Sequence, residues 1–223
     1  MKRSLPAPRA PELTAELTPR ELEGLAHDAA CAQVELGGSL PEGQLARGVS
    51  LEEGVLSGLE APGARLEALR LLDCEVRGCN LANVRAPRAS IVRASFATCR
   101  MTGLQLPDAH LRDVAFRDCR IDLASFAGAH FERVSFEDCV LAGSDFLETQ
   151  LASVRFVRCR LAEADLRGAR VEGCELRRCE LSGLHGLESL AGAAMEWEDI
   201  IANAGTLAAA LGIAVLDERQ SEN

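Results

Sequence analysis

From Leu51 to Leu181 every fifth residue is apolar, without interruption: Leu71, Val76, Leu81, Ala86, Ile91, Phe96, Met101 and Leu106 are typical. All seven phenylalanines, at positions 96, 116, 126, 131, 136, 146 and 156, fall on this phase. A buried helix face recurs every 3.6 residues and a strand face every 2. A period of five fits neither. It describes a short extended piece and a turn, repeated. The residue two before each apolar centre is small or apolar, as at Cys74, Val84, Ala94, Leu104 and Val114; eight of the nine cysteines stand there and only Cys31 does not. The residue two after the centre is often glycine, as at Gly78, Gly103, Gly128 and Gly168. Such a place suits a turn with positive φ. Each unit therefore turns two residues inward and three outward.

A second period organises the first. Cys79, Cys99, Cys119, Cys139, Cys159 and Cys179 stand twenty residues apart, and so do Phe96, Phe116, Phe136 and Phe156. If four units close one layer, residues twenty apart stack directly. These cysteines and phenylalanines then form two neighbouring columns of a structural core ladder. Internal repeats of this kind specify an all-β solenoid. Stacked extended backbones lie about 4.8 Å apart, so about seven coils make a rod on the order of 30 Å long.

Ala164-Asp165-Leu166-Arg167-Gly168, Ser144-Asp145-Phe146-Leu147-Glu148 and Ala124-Ser125-Phe126-Ala127-Gly128 carry this pattern most fully. The pattern resembles that of the pentapeptide repeat proteins, whose motif is A(D/N)LXX. The resemblance implies a right-handed quadrilateral β-helix. The second place of the unit departs from the motif, with Arg or Ser commoner than Asp or Asn.

The two ends lie outside the repeat. Thr18-Pro19-Arg20-Glu21 has the form of a helix start, with Thr as cap, Pro in the first turn and Glu three after the cap. Leu22, Leu25, Ala26, Ala29 and Ala30 follow at helical spacing, which predicts a helix over 19–32. Residues 1–17 are proline-rich and are expected to be mobile. At the other end Trp197, Ile200, Ile201, Leu207 and Leu211 form an apolar helical stripe, interrupted by Gly205 and stopped by Gly212. Ile213-Ala214-Val215-Leu216 reads as a short strand. The expected division is an N-terminal extension with one helix (1–45), a β-helix (46–186) and a helical segment that caps or dimerises the rod (187–223). A solenoid needs its open layer covered. The stripe is larger than a cap alone requires, and Trp197, Ile200, Ile201, Leu207, Leu211, Ile213 and Val215 are the candidate dimer or cap residues.

The chemistry-bearing residues are sparse. The cysteine column points inward, where a thiol is a small hydrophobe. Near pairs such as Cys74/Cys79 lack the short-loop spacing of zinc sites. His110 and His130 are expected to stack on the outside as solvated surface. No phosphate loop, G-x-S-x-G or H-E-x-x-H is present. The expectation is a non-enzymatic chain without metal or cofactor. No apolar run is long enough to span a membrane. The N-terminus has no apolar region of a secretory signal, and the cysteine count is odd, which together indicate a reduced, cytoplasmic protein. The net charge of −10 argues against direct nucleic-acid binding. Residues 46–185 hold 19 basic and 20 acidic side chains, so the excess acid sits at the ends. One belt within the repeat, Glu132, Glu137, Asp138, Asp145 and Glu148, is acidic and is the candidate surface for a basic partner.

The resemblance extends to function. The gyrase-binding members of this family, which give quinolone resistance or immunity to topoisomerase poisons, are dimeric rods that resemble duplex DNA in width and charge. Their helical tails join two rods end to end. This implies a protein that binds DNA gyrase, a type II topoisomerase, as a partial DNA mimic and homodimer, and protects it from inhibitors. The alternative is a protein-interaction scaffold with no topoisomerase link, whose residues 1–45 bind the partner.

Overall fold

The computed structural model describes residues 5–13 and 16–214. Its strands are β1 (Thr18–Leu22), β2 (Ala30–Ala32), β3 (Val34–Gly38), β4 (Leu45–Arg47), β5 (Ser50–Ser57), β6 (Arg65–Glu67), β7 (Arg70–Arg77), β8 (Ser90–Ala97), β9 (His110–Arg117), β10 (His130–Glu137), β11 (Gln150–Val157), β12 (Arg170–Arg177) and β13 (Ala194–Met195). One continuous sheet runs β1-β3-β5-β7-β8-β9-β10-β11-β12-β13. Every pairing is parallel, and from β5 onward to β12 each partner is twenty residues away, as in Phe96↔Phe116 and Phe136↔Phe156. The structure is a β-solenoid of about nine coils.

The backbone explains why five-residue units need no strand propensity. Arg100 N–H donates back to Cys79 O in the preceding coil (2.9 Å), while Met101 N–H donates forward to Arg120 O in the next (2.6 Å). The turns between walls put the residue two after each centre at positive φ, whether glycine (Gly103, 70°) or not (Asp113, 57°; Arg133, 54°). A Cβ at Gly103 would also crowd the side-chain oxygen of Asn83, which would have to turn away.

The interior is a filled column. Phe96, Phe116, Phe136 and Phe156 stack with centroids 4.9, 4.8 and 5.1 Å apart. Phe126 and Phe146 form a second stack at 5.1 Å, and Phe131 meets Phe126 edge-on. The ladder cysteines are buried and unpaired.

Three expectations need correction. The solenoid starts at Thr18, so there are about nine coils rather than seven. The helix over 19–32 is absent; β1 and β2 occupy that segment. An isolated helix of that length is marginal, whereas the open edge of β3 offers backbone partners to Thr18–Leu22 and the coil buries Leu22. The first coil is short, with Thr18 beside Val34, sixteen residues on. Within the proline-rich start, Leu5–Leu13 lies along the rod, held by the side chains of three separate coils, while residues 1–4, 14 and 15 lie outside the described residues.

At the C-terminal end a 3-10 turn (Leu187–Leu190) and β13 precede two short helices, α1 (Trp197–Ala202) and α2 (Ala204–Ala210). Val215 and Leu216, half of the expected strand, lie outside the described residues, while Ile213 and Ala214 are not in a strand.

Candidate interaction surfaces

The inner columns offer no reaction site. Cys99, Cys119, Cys139, Cys159 and Cys179 each place Sγ 3.4–3.6 Å from the carbonyl oxygen 23 residues earlier, at Val76, Phe96, Phe116, Phe136 and Phe156. Ser144, at the equivalent inward place of another wall, donates to Ile121 O at 2.8 Å. The small inward residue thus fills volume and caps a carbonyl of the coil beneath. Burial among apolar side chains pushes the Cys74 thiol up to about 11 and the Cys174 thiol up to about 12, which holds both as neutral thiols. His110 and His130 lie side by side on the outside, centroids 4.9 Å apart. Among the described residues no group of three or more His, Cys, Asp or Glu converges as metal ligands would.

The acidic belt is largely ion-paired. Glu132 pairs with Arg133. Arg158, one coil on, reaches both Glu137 (2.6 Å) and Asp138 (2.7 Å), and Arg117 approaches Glu137 from the other side at 3.5 Å. The Arg158 guanidinium holds the Asp138 carboxyl below the usual carboxylate range. Asp145 accepts from Ser125 Oγ (3.0 Å) and Leu147 N–H (2.8 Å). Glu148 is exposed at a corner of the coil. Twenty-residue register pairs Asp138 with Arg158 and Glu137 with Arg117, which stitches coils together rather than presenting a continuous acidic wall.

The strands of the continuous sheet carry a constellation that charge counting missed. The positive-φ column reads Asp73, Arg93, Asp113, Arg133 in successive coils. Arg93 chelates Asp73 at 2.6 and 2.5 Å, and Arg133 chelates Asp113 at 2.7 and 2.8 Å. Both carboxylates are buried, at 6% and 2% exposure. Their arginine partners first, and then a backbone N–H of the N-terminal segment, hold both below the usual carboxylate range. Arg9 N–H donates to Asp113 Oδ1 and Glu12 N–H to Asp73 Oδ1, each at 3.1 Å, and Leu5 N–H reaches Glu175 Oε1 at 3.4 Å. The sequence signal was available: acid and base alternate at twenty-residue steps, beside the small residues Ser95, Ala115 and Ser135.

The C-terminal segment caps the last coil. Asp199 accepts Arg178 N–H at 2.7 Å. Asn203 accepts Leu181 N–H (3.2 Å) and donates to Cys179 O (3.3 Å). Leu187 and Leu190 are buried, and Leu207 packs against the core. The polar capping pair was not visible in the apolar stripe. The rest of that stripe faces outward: Trp197 is 69% exposed, Ile200 36%, Ile201 61%, Leu211 78% and Ile213 57%. Val215 lies outside the described residues.

Comparison with known proteins gives a family match and several structural likenesses. No curated protein matches the chain significantly. Among solved structures it is similar to HetL of the cyanobacterium Nostoc sp. strain PCC 7120, described as involved in regulating heterocyst differentiation. That match has 16% identity, covers 78% of this chain and 89% of that one, and has a TM-score of 0.40. It is also similar to QnrB1, a plasmid-mediated fluoroquinolone resistance protein, at 17% identity over 87% of this chain and all of that one, with a TM-score of 0.38. A third is Rfr23 of the cyanobacterium Cyanothece 51142, at 19% identity over 55% and 88%, with a TM-score of 0.29. The family model for the pentapeptide repeat region matches residues 69–146 and 122–185, just over half of the chain and the same stretch that stacks in twenty-residue register. The chain belongs to the pentapeptide repeat family.

Proposed function

We propose that this protein works by binding another protein along its walls, without catalysis, as a homodimer of rods joined through the C-terminal helices. The observation that carries this reading is the division of labour at α1 and α2. Asp199 and Asn203 close the last coil, yet Trp197, Ile201 and Leu211 remain exposed on the same short segment. Large apolar side chains left exposed together on one short segment support an interaction site there.

The partner in this reading is a type II topoisomerase, DNA gyrase, which the protein protects from inhibitors. A rod of about nine parallel coils, roughly 40 Å long at the usual strand spacing, and a net charge of −10 support it. Mimicry of duplex DNA is partial, because arginines already engage Glu132, Glu137 and Asp138. Recognition then rests on the shape of the walls and on exposed Glu148.

The test is a gyrase supercoiling assay with and without a fluoroquinolone or a peptide poison. The protein should restore supercoiling in the poisoned reaction. Trp197→Glu should raise the protective concentration about tenfold, the loss expected of one interfacial tryptophan. If supercoiling is unaffected by the protein in both the presence and absence of inhibitor, the topoisomerase reading is wrong, and a binding rod with another partner is left.

A further inference from the structure

The wall bearing Asp73, Arg93, Asp113 and Arg133 holds a segment of chain in an unusual way. Leu5–Leu13, Leu-Pro-Ala-Pro-Arg-Ala-Pro-Glu-Leu, runs along the rod axis, across the strands instead of beside them. It joins no sheet. Its hold is backbone N–H to side-chain carboxylate, from Arg9 to Asp113 and from Glu12 to Asp73.

The spacing of these bonds has a physical basis. Asp113 and Asp73 are two coils apart, about 9.6 Å at the usual strand spacing. Arg9 and Glu12 are three residues apart, about 9.3 Å in a polyproline II chain, which has three residues per turn. The two repeats are commensurate. A polyproline II chain laid along the axis presents the same face to every second coil. The burial follows that threefold rhythm from Leu5 to Pro11: Leu5, Pro8 and Pro11 are half-buried, while Pro6, Ala7, Arg9 and Ala10 face solvent; beyond it Glu12 is exposed and Leu13 is half-buried, out of the rhythm. Prolines at 6, 8 and 11 favour this conformation and remove N–H groups that the wall would leave without partners.

The wall is prepared for such a chain. Arg93 and Arg133, each from the coil after the carboxylate that it holds, fix Asp73 and Asp113 by two hydrogen bonds apiece. Ser95, Ala115 and Ser135 give a floor of small side chains. Gly173 makes room for Leu5, since a Cβ there would lie 3.1 Å from Leu5 Cδ2. The segment does not fill the groove: about 420 Å³ remains open beside it, bordered by Arg117, Glu137, Arg155 and Val157.

We propose that this groove is a recognition site for a proline-rich, extended segment of a partner protein, and that Leu5–Leu13 is its resident, displaceable occupant. The groove reads backbone N–H groups at every third residue with Asp113 and Asp73, and selects against chains that do not hold the threefold form. This inference does not depend on the partner being a topoisomerase.

The probe is a fluorescein-labelled peptide of the sequence of residues 5–13, titrated by fluorescence polarisation into the full-length protein. Arg9→Pro with Glu12→Pro removes the two N–H donors that Asp113 and Asp73 accept, keeps the extended form of the segment and leaves the groove untouched. The peptide should bind this double variant at least about tenfold more tightly than it binds the wild type, where a tethered competitor acts at millimolar effective concentration. A scrambled peptide without the proline spacing should bind several-fold more weakly, and Asp113→Ala added to the double variant should abolish binding while its circular dichroism remains that of a folded solenoid. Equal binding to wild type and double variant, equal binding of the scrambled peptide, or no binding to either protein at millimolar peptide overturns the proposal. So does a dimer that Arg9→Pro with Glu12→Pro converts to monomer, because the natural occupant would then be the segment of a second copy.

Discussion

The first coils and the middle coils share one backbone and differ in what fills it. From Phe96 to Phe156 seven of the thirteen inward centres carry rings, and Phe96, Phe116, Phe136 and Phe156 stack at 4.8–5.1 Å. That interval is the spacing of the coils themselves, about 4.8 Å, so a ring lies flat on the ring of the coil below with no gap. Before Ile91 the centres are Leu, Ala and Val: Leu36, Ala46, Leu51, Ala61, Leu66, Val76. Branched and short side chains do not tile a column in this way. An apolar cavity of about 90 Å³ runs through this half, lined by residues such as Leu36, Leu51, Leu66 and Ala86, with Phe96 and Phe116 among its lining. The five-residue period sets the path of the chain, and side-chain volume sets how tightly each coil is clamped to the next. In a repeat array stability is a sum of such neighbour terms.

Truncating one ring should expose this difference most strongly. Phe136 is fully buried, stacked on Phe116 and Phe156 and met edge-on by Phe131. Phe136→Ala should cost about 3–5 kcal/mol. Leu51→Ala, on the wall of the existing cavity, should fall near the lower end of the range for leucine, about 2 kcal/mol. Urea unfolding of both variants measures the contrast; equal losses would mean that the two halves are packed alike.

Acid should loosen the coils through the same wall in both halves. Asp73 ties its coil to Arg93, and Asp113 ties its coil to Arg133. Both carboxyls are held below the usual range, so each is depressed in the folded state. Their contribution is therefore complete above the unfolded value, about 3.9, and is lost as pH falls below that value through the folded one. The melting temperature should drop between pH 4 and pH 2, and Asp113→Asn should flatten that drop while lowering the melting temperature at pH 7. An unchanged acid slope in Asp113→Asn would remove this pair from the account.

Filling the looser half should stabilise it. Ala86 is 1% exposed and lies on the cavity wall, in a column with Leu66 and Leu106. Ala86→Leu should add about 1 kcal/mol, raising the melting temperature by about 2–4 °C. A loss of similar size, the signature of overpacking, would show that the void does not extend to this column.

These contrasts divide what the sequence displays from what it hides. The coil was legible because an apolar residue at every fifth place and Cys at every twentieth are each other's check: Phe136 and Cys139 name the same layer. The phase failed before Leu51 because Pro41 breaks it and because the first coil is four residues short, so Leu22 is out of step with Leu36 and the centres that follow. A helix signature at Thr18-Pro19 then won on local grounds, although the edge of β3 offered the chain backbone partners that no local rule registers. The acidic belt misled for a related reason. Glu137 and Asp138 are adjacent in sequence, and their cation, Arg158, is twenty residues on. Asp199 and Asn203 were hidden by the apolar stripe around them, because capping depends on the N–H groups of Arg178 and Leu181 across the coil.

The smallest effect needs no substitution at all. Nine free thiols report on opening at known heights of the rod. Cys31 is half-buried and should react first with a thiol reagent under native conditions. The other eight are buried, and only the thiolate attacks; burial lifts Cys74 to about 11, so its reaction must wait for the coil to open. Opening a coil of the leucine half breaks fewer close contacts than opening one between stacked rings. Cys74 and Cys79 should therefore be labelled before Cys139 and Cys159, by about tenfold for each 1.4 kcal/mol of difference in local stability. Mass spectrometry of timed labelling orders the sites. If Cys139 and Cys159 react together with Cys74 and Cys79, in one step with global unfolding, the rod opens as a single unit. The difference in filling then has no consequence for its motion.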